Sequence, residues 1–114
     1  MEWIPLESLK QLDEIEQLSK SKTIILFKHS TRCPISTVAK LRLQQEWNID
    51  IKDFLFYFLD LIQFRSISNE IESRFQVRHE SPQIIVLQKG EVIYDNSHLD
   101  ISIADLESVL VYHA

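Results

Sequence analysis

The hydrophobic positions of the chain fall into short unbroken runs and longer stretches with helical spacing. Three of the runs lack polar alternation, which is typical of strands covered on both faces of a sheet. They are TIILF at residues 23–27, DFLFYFLD at 53–60 and QIIVL at 83–87. In the middle run the three phenylalanines share one face of the strand, and Tyr57 shares the other with two leucines. We therefore predict three buried strands.

Four stretches space their apolar residues three or four positions apart, which predicts helices that bury one face. Ser8 is a predicted N-cap for the first helix. The second extends from Cys33 to about Trp47, with Pro34 at the first helical position, where proline is favoured. The third runs from Ser66 to about Phe75 and the last from about Ser102 to Tyr112. The apolar positions that carry this spacing are Leu9, Leu12, Ile15 and Leu18; Val38, Leu41 and Trp47; Ile67, Ile71 and Phe75; and Ile103, Leu106, Val109 and Leu110, the last set being predicted to face inward.

The order of these elements predicts the fold class. A polar turn from His29 to Arg32 follows the first strand, and Lys89 and Gly90 form a tight turn into a fourth strand, EVIYDN. The expected α/β architecture is a central mixed sheet flanked by helices, with a βαβ half, a ββα half and an extra N-terminal helix. The 114 residues suit one domain spanning positions 1–114.

Composition excludes several function classes. The 12 Lys and Arg against 17 Asp and Glu give a net charge of -5, so nucleic acid is not an expected partner. The single glycine excludes glycine-rich phosphate loops, and the apolar run at 54–62 is too short to span a membrane. One cysteine cannot close an internal disulfide, and the first residues lack a secretory pattern, so a cytoplasmic location is expected. The four histidines share no metal-binding spacing, and no metal is expected.

The single cysteine, Cys33, lies where the first strand ends and the second helix begins. Backbone N–H groups and the helix dipole at such a position favour the thiolate over the thiol. Half ionisation of an ordinary cysteine at neutral pH requires about 2 kcal/mol, and a helix terminus typically supplies about 0.3–1 kcal/mol. Further groups must contribute: Arg32 and Lys28 as positive neighbours, and Ser36, one turn on, as a hydroxyl donor to the sulfur.

Other interpretations of these residues stay open. Cys33 could be a buried filler, because free cysteine packs as a small hydrophobe, although its polar neighbours suit a surface loop. Arg32 and Lys28 could be solvated surface charges, and Ser36 a plain position on the helix surface. The histidines could have hydrogen-bonded structural roles, although His79 and His98 could also lie near the cysteine and tune it.

The strings KHSTRCPIS and VRHESPQ, with the Ser97–His98 pair, resemble the YtxJ-type bacilliredoxins of the thioredoxin and glutaredoxin superfamily, from about Thr23 onward. The resemblance implies a thioredoxin-like fold and a nucleophilic Cys33. It also implies a cis proline at Pro82, opposite the cysteine, with the backbone of Ser81 pairing with the substrate. Ser36 replaces the resolving cysteine of the wider superfamily.

A nucleophilic thiol without a resolving partner predicts one half-reaction. A thiolate attacks a disulfide through a mixed disulfide, and here a small thiol or another protein must resolve it. The expected activity is that of a monothiol oxidoreductase acting on thiol-capped proteins, with no bound cofactor and a low-molecular-weight thiol as co-substrate. The resemblance names that thiol as bacillithiol, whose carboxylates Arg32, Lys28 or Arg78 could bind. The predicted substrate-binding residues are Pro34, Arg78, His79, Ser81 and Pro82.

Two other functions compete with this interpretation. The domain could be a thioredoxin-like binding module with an inert cysteine, docking a partner on its edge strand. It could also handle an iron–sulfur cluster as a dimer, as some monothiol glutaredoxins do. The motif of those proteins usually has glycine after the cysteine, and Pro34 and Ile35 depart from it.

Overall fold

The computed structural model describes residues 2–48 and 53–113. Within these ranges it contains five strands, four α-helices and one turn of 3-10 helix. The strands are β1 (Ile4–Pro5), β2 (Thr23–His29), β3 (Phe54–Asp60), β4 (Gln83–Gln88) and β5 (Glu91–Ser97). The helices are α1 (Leu9–Leu18), α2 (Pro34–Glu46), α3 (Arg65–Phe75) and α4 (Ile103–Tyr112), and the 3-10 turn is His98–Asp100.

The strands form one mixed sheet in the order β1-β3-β2-β4-β5. β2 pairs in parallel with β3, and β3 pairs in parallel with β1. β4 runs antiparallel to both β2 and β5. This confirms the predicted mixed α/β fold with its βαβ and ββα halves. The two-residue strand β1 was missed, because Ile4–Pro5 is too short to show a period.

The sheet separates two hydrophobic cores. One core contains the buried residues of α1 and α3 with Ile24 and Leu26 of β2. The other contains the buried residues of α2 and α4 with Ile25 and Phe27. β3 contributes Phe56 to the second core and Tyr57 to the first. The predicted division of β3 into a face with three phenylalanines and a face with Tyr57 and two leucines is therefore confirmed.

The predicted helix starts agree closely with the structure. Ser8 caps α1 in a capping box with Gln11, and Ser102 caps α4 by accepting a hydrogen bond from the Asp105 N–H. Pro34 is the first residue of α2. These caps satisfy backbone N–H groups that have no partner inside the helix.

The structure corrects three details. Leu9, assigned to the apolar face of α1, is exposed. β2 does not end before the polar turn but continues through Lys28 and His29, because the strand pairing with β3 extends to Asp60. In α2 the buried residues are Ser36, Ala39 and Leu43, whereas Val38 and Leu41, whose spacing predicts the helix, are exposed. A buried serine interrupts the apolar period of this helix, so the pattern identified the helix but not its inner face.

Candidate active site

Cys33 is the N-cap of α2 and follows a short turn at the end of β2. Its backbone N–H donates to the Ser30 carbonyl at 3.2 Å, and its own carbonyl accepts from the Thr37 N–H at 3.1 Å. The thiol is free and partly exposed. No hydrogen bond to its sulfur occurs in the part of the chain that is described. The sulfur is therefore placed at the positive end of a 13-residue helix and open to a reaction partner.

Ser36 is fully buried one turn into α2. Its Oγ accepts a hydrogen bond from the Ser30 N–H at 3.0 Å and lies 2.7 Å from His29 Nδ1. The expected donation from Ser36 to the Cys33 sulfur is not made, because His29 and Ser30 hold the hydroxyl. Nor is Ser36 a plain surface position. Its hydroxyl ties the first turn of α2 to the end of β2.

His29 lies at the end of β2, on the same face as Phe27, and is buried. Burial lowers the pKa of this imidazole, and the charge of Lys40 lowers it further. The Asp60 carboxylate and a hydrogen bond with the Ser36 backbone act in the opposite direction on this pKa. The sequence pattern places His29 in a polar turn and predicts no more than a hydrogen-bonded structural role for it. Extending the strand period by two residues from Phe27 would have placed it on the face of α2.

The Ser81–Pro82 peptide bond is cis, as the resemblance implies. Pro82 directly precedes β4, whose Gln83 pairs with Lys28 near the end of β2. Pro82 and Cys33 are therefore at the same end of the sheet. The Pro82 carbonyl accepts a hydrogen bond from the His98 N–H at 2.9 Å, which ties this loop to the end of β5. Ser81 Oγ is buried and has no hydrogen-bond partner in the described ranges.

Lys28 differs from both expectations. It is fully buried rather than a surface charge, and it belongs to the face of β2 that carries Leu26, opposite the face packed by α2. Its Nζ donates to the Ser68 carbonyl at 3.4 Å and lies 3.2 Å from His79 Nδ1. Burial lowers the pKa of Lys28 to about 8. The Lys28 ammonium group is therefore held by Ser68 and His79 and is not accessible to a carboxylate in solution.

The other predicted residues are placed as follows. Arg32 is exposed beside Cys33, and its backbone N–H donates to Ser30 Oγ at 3.3 Å. The Arg78 side chain is 91% exposed, with its Nε 3.9 Å from a Glu80 oxygen. The other Glu80 oxygen is 3.3 Å from His98 Nε2. Arg32 and Arg78 are thus both open to an anionic ligand, although Arg78 already faces a carboxylate.

His79 is half-buried between β4 and α3. Its backbone N–H donates to a Glu72 carboxylate oxygen, and its Nδ1 is 3.2 Å from both Lys28 Nζ and Ser68 Oγ. Burial and the Lys28 charge lower the pKa of the imidazole. The contacts of its Nδ1 are therefore with the core of α1 and α3 rather than with the thiol.

Residues 2–48 and 53–113 contain neither a metal-binding cluster nor a helix suited to a bilayer. In these ranges no group of three or more His, Cys, Asp or Glu side chains is arranged to hold a metal ion. None of the helices described there has the length and apolarity needed to cross a bilayer.

The chain matches the family described as monothiol bacilliredoxin BrxC over residues 4–106. The match includes the second strand, the cysteine, the helix after it and the Ser81–Pro82 loop. It therefore spans every residue of the site described above.

Solved structures agree with this match. An oxidoreductase with a thioredoxin fold superposes with a TM-score of 0.77 at 29% identity, over 95% of this chain and 93% of that chain. Thioredoxin from Fasciola hepatica superposes with a TM-score of 0.73 at 13% identity, over 96% and 98% of the two chains. Spinach chloroplast thioredoxin f gives 0.71 at 12% identity, over 98% and 94%. The last two establish similarity of fold alone.

Proposed function

The chain belongs to the monothiol bacilliredoxin family, and from this premise we propose that it removes bacillithiol, or a similar small thiol, from protein mixed disulfides. Its general activity is that of a redox thiol protein with the thioredoxin fold. The observation that carries the finer proposal is the position of Cys33, a partly exposed thiol at the N-terminus of α2 with serine in place of a resolving cysteine.

The first step is an attack of the Cys33 thiolate on the sulfur of the small thiol that caps a protein cysteine. A new disulfide forms between Cys33 and the cap, and the original mixed disulfide breaks. The substrate cysteine leaves as a thiolate and takes a proton from solvent. No electrons are gained or lost overall, because one disulfide replaces another.

The second step needs a thiol from outside the chain, because Cys33 is its single cysteine. A second small thiol, or another protein's thiol, attacks the cap on Cys33. Cys33 leaves as a thiolate and is ready to react again, and the cap departs in a new disulfide. A reducing compartment such as the cytoplasm supplies thiols of this kind.

Recognition of an anionic cap requires accessible positive charge near the thiol. Arg32 adjoins Cys33 in sequence and is exposed, and the Arg78 side chain is exposed on the segment that leads to Pro82. Guanidinium groups pair with carboxylates in a bidentate manner, which suits the malate carboxylates of bacillithiol. Lys28 is left out of this proposal because its ammonium group is buried.

Mass spectrometry of the reaction tests the proposal. The protein is mixed with a substrate protein carrying a bacillithiol cap and, separately, with one carrying a glutathione cap. We expect Cys33 to acquire the bacillithiol mass while the substrate loses it, and the Cys33→Ser variant to acquire none. Preferential capture of glutathione would contradict the choice of bacillithiol, and failure to capture either cap would contradict the proposed activity.

An alkylation profile separates the enzyme from an inert binding module. Iodoacetamide labelling of Cys33 that titrates well below about pH 8 supports the enzyme. Labelling that rises only at about pH 8.5 or above supports the module.

A further inference from the structure

Two buried side chains, one at the end of β2 and one in the first turn of α2, have no part in the function proposed so far. They are His29, which is 5% exposed, and Ser36, which is fully buried. Their Nδ1 and Oγ atoms are 2.7 Å apart, a short distance for a nitrogen and a hydroxyl oxygen. A contact of this length is favourable only when one of the two atoms donates a proton and the other accepts it.

The Ser36 hydroxyl has one hydrogen to donate and two lone pairs that accept. One lone pair accepts the Ser30 N–H. A neutral imidazole with an unprotonated Nδ1 accepts the hydroxyl hydrogen. One lone pair of Ser36 Oγ then remains, and a thiol hydrogen would fill it.

Cys33 can supply that hydrogen. Cys33 is the N-cap of α2 and Ser36 is three residues on, a spacing that puts the two side chains on one face of the helix. N-cap side chains commonly turn toward the amides of this first turn. No hydrogen bond within the described ranges holds the sulfur away from it, and the relay requires the thiol to come within hydrogen-bond reach of the Ser36 hydroxyl.

We propose that Ser36 and His29 form a proton relay in which the Cys33 thiol loses its proton to Ser36 while Ser36 passes its own proton to His29 Nδ1. The S–H bond and the original O–H bond break, and a new O–H bond and an N–H bond form. The products are a thiolate and an imidazolium, with the Ser36 hydroxyl between them. This inference uses from the proposed function only the premise that Cys33 is the reacting thiol.

In the relay, Ser36 Oγ makes the same number of hydrogen bonds before and after the proton transfer. Before transfer its oxygen accepts from Cys33 and Ser30 and donates to His29. After transfer it accepts from Ser30 and His29 and donates to the Cys33 thiolate. A buried hydroxyl with an unsatisfied bond would be costly, and neither state of the relay leaves one.

The charged groups around His29 suit the role of acceptor. The positive charge of Lys40 on α2 lowers the pKa of the imidazole, and the negative charge of Asp60 on β3 raises it. Burial and Lys40 keep the ring neutral, and therefore able to accept, when the thiol is protonated. Asp60 and the new thiolate stabilise the imidazolium after transfer. Phe27 and Phe58 lie 6.1 and 5.4 Å from the ring, centroid to centroid, and limit contact with water.

The pH profile of Cys33 alkylation tests the relay in the full chain. We expect Ser36→Ala, and separately His29→Asn, to move the midpoint of the profile up by about one pH unit, which lowers the rate below that midpoint about tenfold. Asparagine can hydrogen-bond to Ser36 but cannot take up a proton. Because both residues act in one path, the double variant should shift the midpoint no further than a single variant.

Ser68→Ala is the matched control. Ser68 is also fully buried, and its Oγ also contacts a histidine Nδ1, that of His79, at 3.2 Å. It lies on α3, on the other side of the sheet. This variant should keep the wild-type midpoint. An equal shift in Ser68→Ala, an unchanged midpoint in His29→Asn, or additive shifts in the double variant would each overturn the relay.

A second measurement does not depend on core variants. Histidine NMR titration of the wild type, in reduced form and after alkylation of Cys33, reports the protonation of His29 directly. The relay predicts that His29 in the reduced form takes up a proton as Cys33 loses one, and that this step disappears on alkylation. Identical His29 titrations in both forms would contradict it. Failure of the capped-protein reaction with an intact relay would refute the proposed function alone.

Discussion

Lys28 and His79 meet in the core of α1 and α3, with Lys28 Nζ 3.2 Å from His79 Nδ1. The charge of Lys28 disfavours protonation of the His79 imidazole. Burial is the main cause of the lowered pKa of both groups, and the Lys28 charge is the next cause for His79. The carboxylate of Glu72 raises both pKa values and partly offsets this. These pKa shifts favour a state at neutral pH in which the charged lysine donates a hydrogen bond to the neutral histidine.

The lowered pKa of Lys28 predicts an alkaline gain in stability. Its pKa is about 8 in the folded protein against 10.5 for an ordinary lysine, so between these values the unfolded chain binds more protons. The free energy of unfolding should therefore rise with pH across this window, by about 1–3 kcal/mol. Lys28→Met should lack this rise, while Ser68 Oγ continues to bond His79 Nδ1. Denaturant unfolding at several pH values measures both, and a parallel rise in the variant would refute the assignment.

The lowered pKa of His79 predicts a loss of stability in acid. The neutral imidazole is favoured in the folded protein, so its contribution is present above about pH 6.5 and is lost as the pH falls below that value. His79→Gln should reduce the decline in unfolding free energy between about pH 7 and pH 5 relative to wild type. The exposed His113 provides the control, because His113→Gln should leave the decline unchanged. Equal effects of the two substitutions would argue against a special role for His79.

Ser36→Cys should convert the protein to a dithiol that releases its own cap. A thiol at this position is one turn from Cys33 and can attack the mixed disulfide, forming an internal disulfide. Mass spectrometry after reaction with a capped substrate should show the variant without the cap and lighter by two hydrogens. Loss of the bonds to Ser30 and His29 should also destabilise the reduced variant by about 1–3 kcal/mol. A variant that stays capped like the wild type would contradict the expected geometry.

Charge reversal tests the recognition of an anionic cap. Arg32→Glu and Arg78→Glu should each raise KM for a bacillithiol-capped substrate severalfold, because each replaces an attractive guanidinium with a repulsive carboxylate. A substrate capped with mercaptoethanol, which is uncharged, should react equally well with all variants. Lys10→Glu, an exposed position on α1, makes the same charge change away from the site. Unchanged kinetics in both arginine variants would remove these residues from the proposed site.

The sequence was sufficient for the elements whose pattern depends on burial alone. The three apolar runs became β2, β3 and β4, and the residues placed on each face of β3 are those found there. The position of Cys33 as N-cap also followed from local pattern, because Pro34 can begin a helix but not continue one.

The sequence was insufficient wherever a polar side chain is buried. Lys28, His29 and Ser36 are polar, so their pattern indicates a surface, yet all three are buried and hydrogen-bonded. Each depends on a partner distant in sequence or on an extension of β2 that only pairing with β3 produces. Periodicity records the polarity of a residue and not the partner that makes its burial tolerable.

The division of the molecule by its sheet has a practical consequence for protein engineering. The thiol and its hydroxyl–imidazole pair are on one side, and the lysine–histidine pair, from which we predict a pH dependence of stability, is on the other. Substitutions intended to change the pH dependence of stability can therefore be confined to the α1–α3 side of the sheet. The reactivity of the thiol can then be changed independently by substitutions on the α2 side.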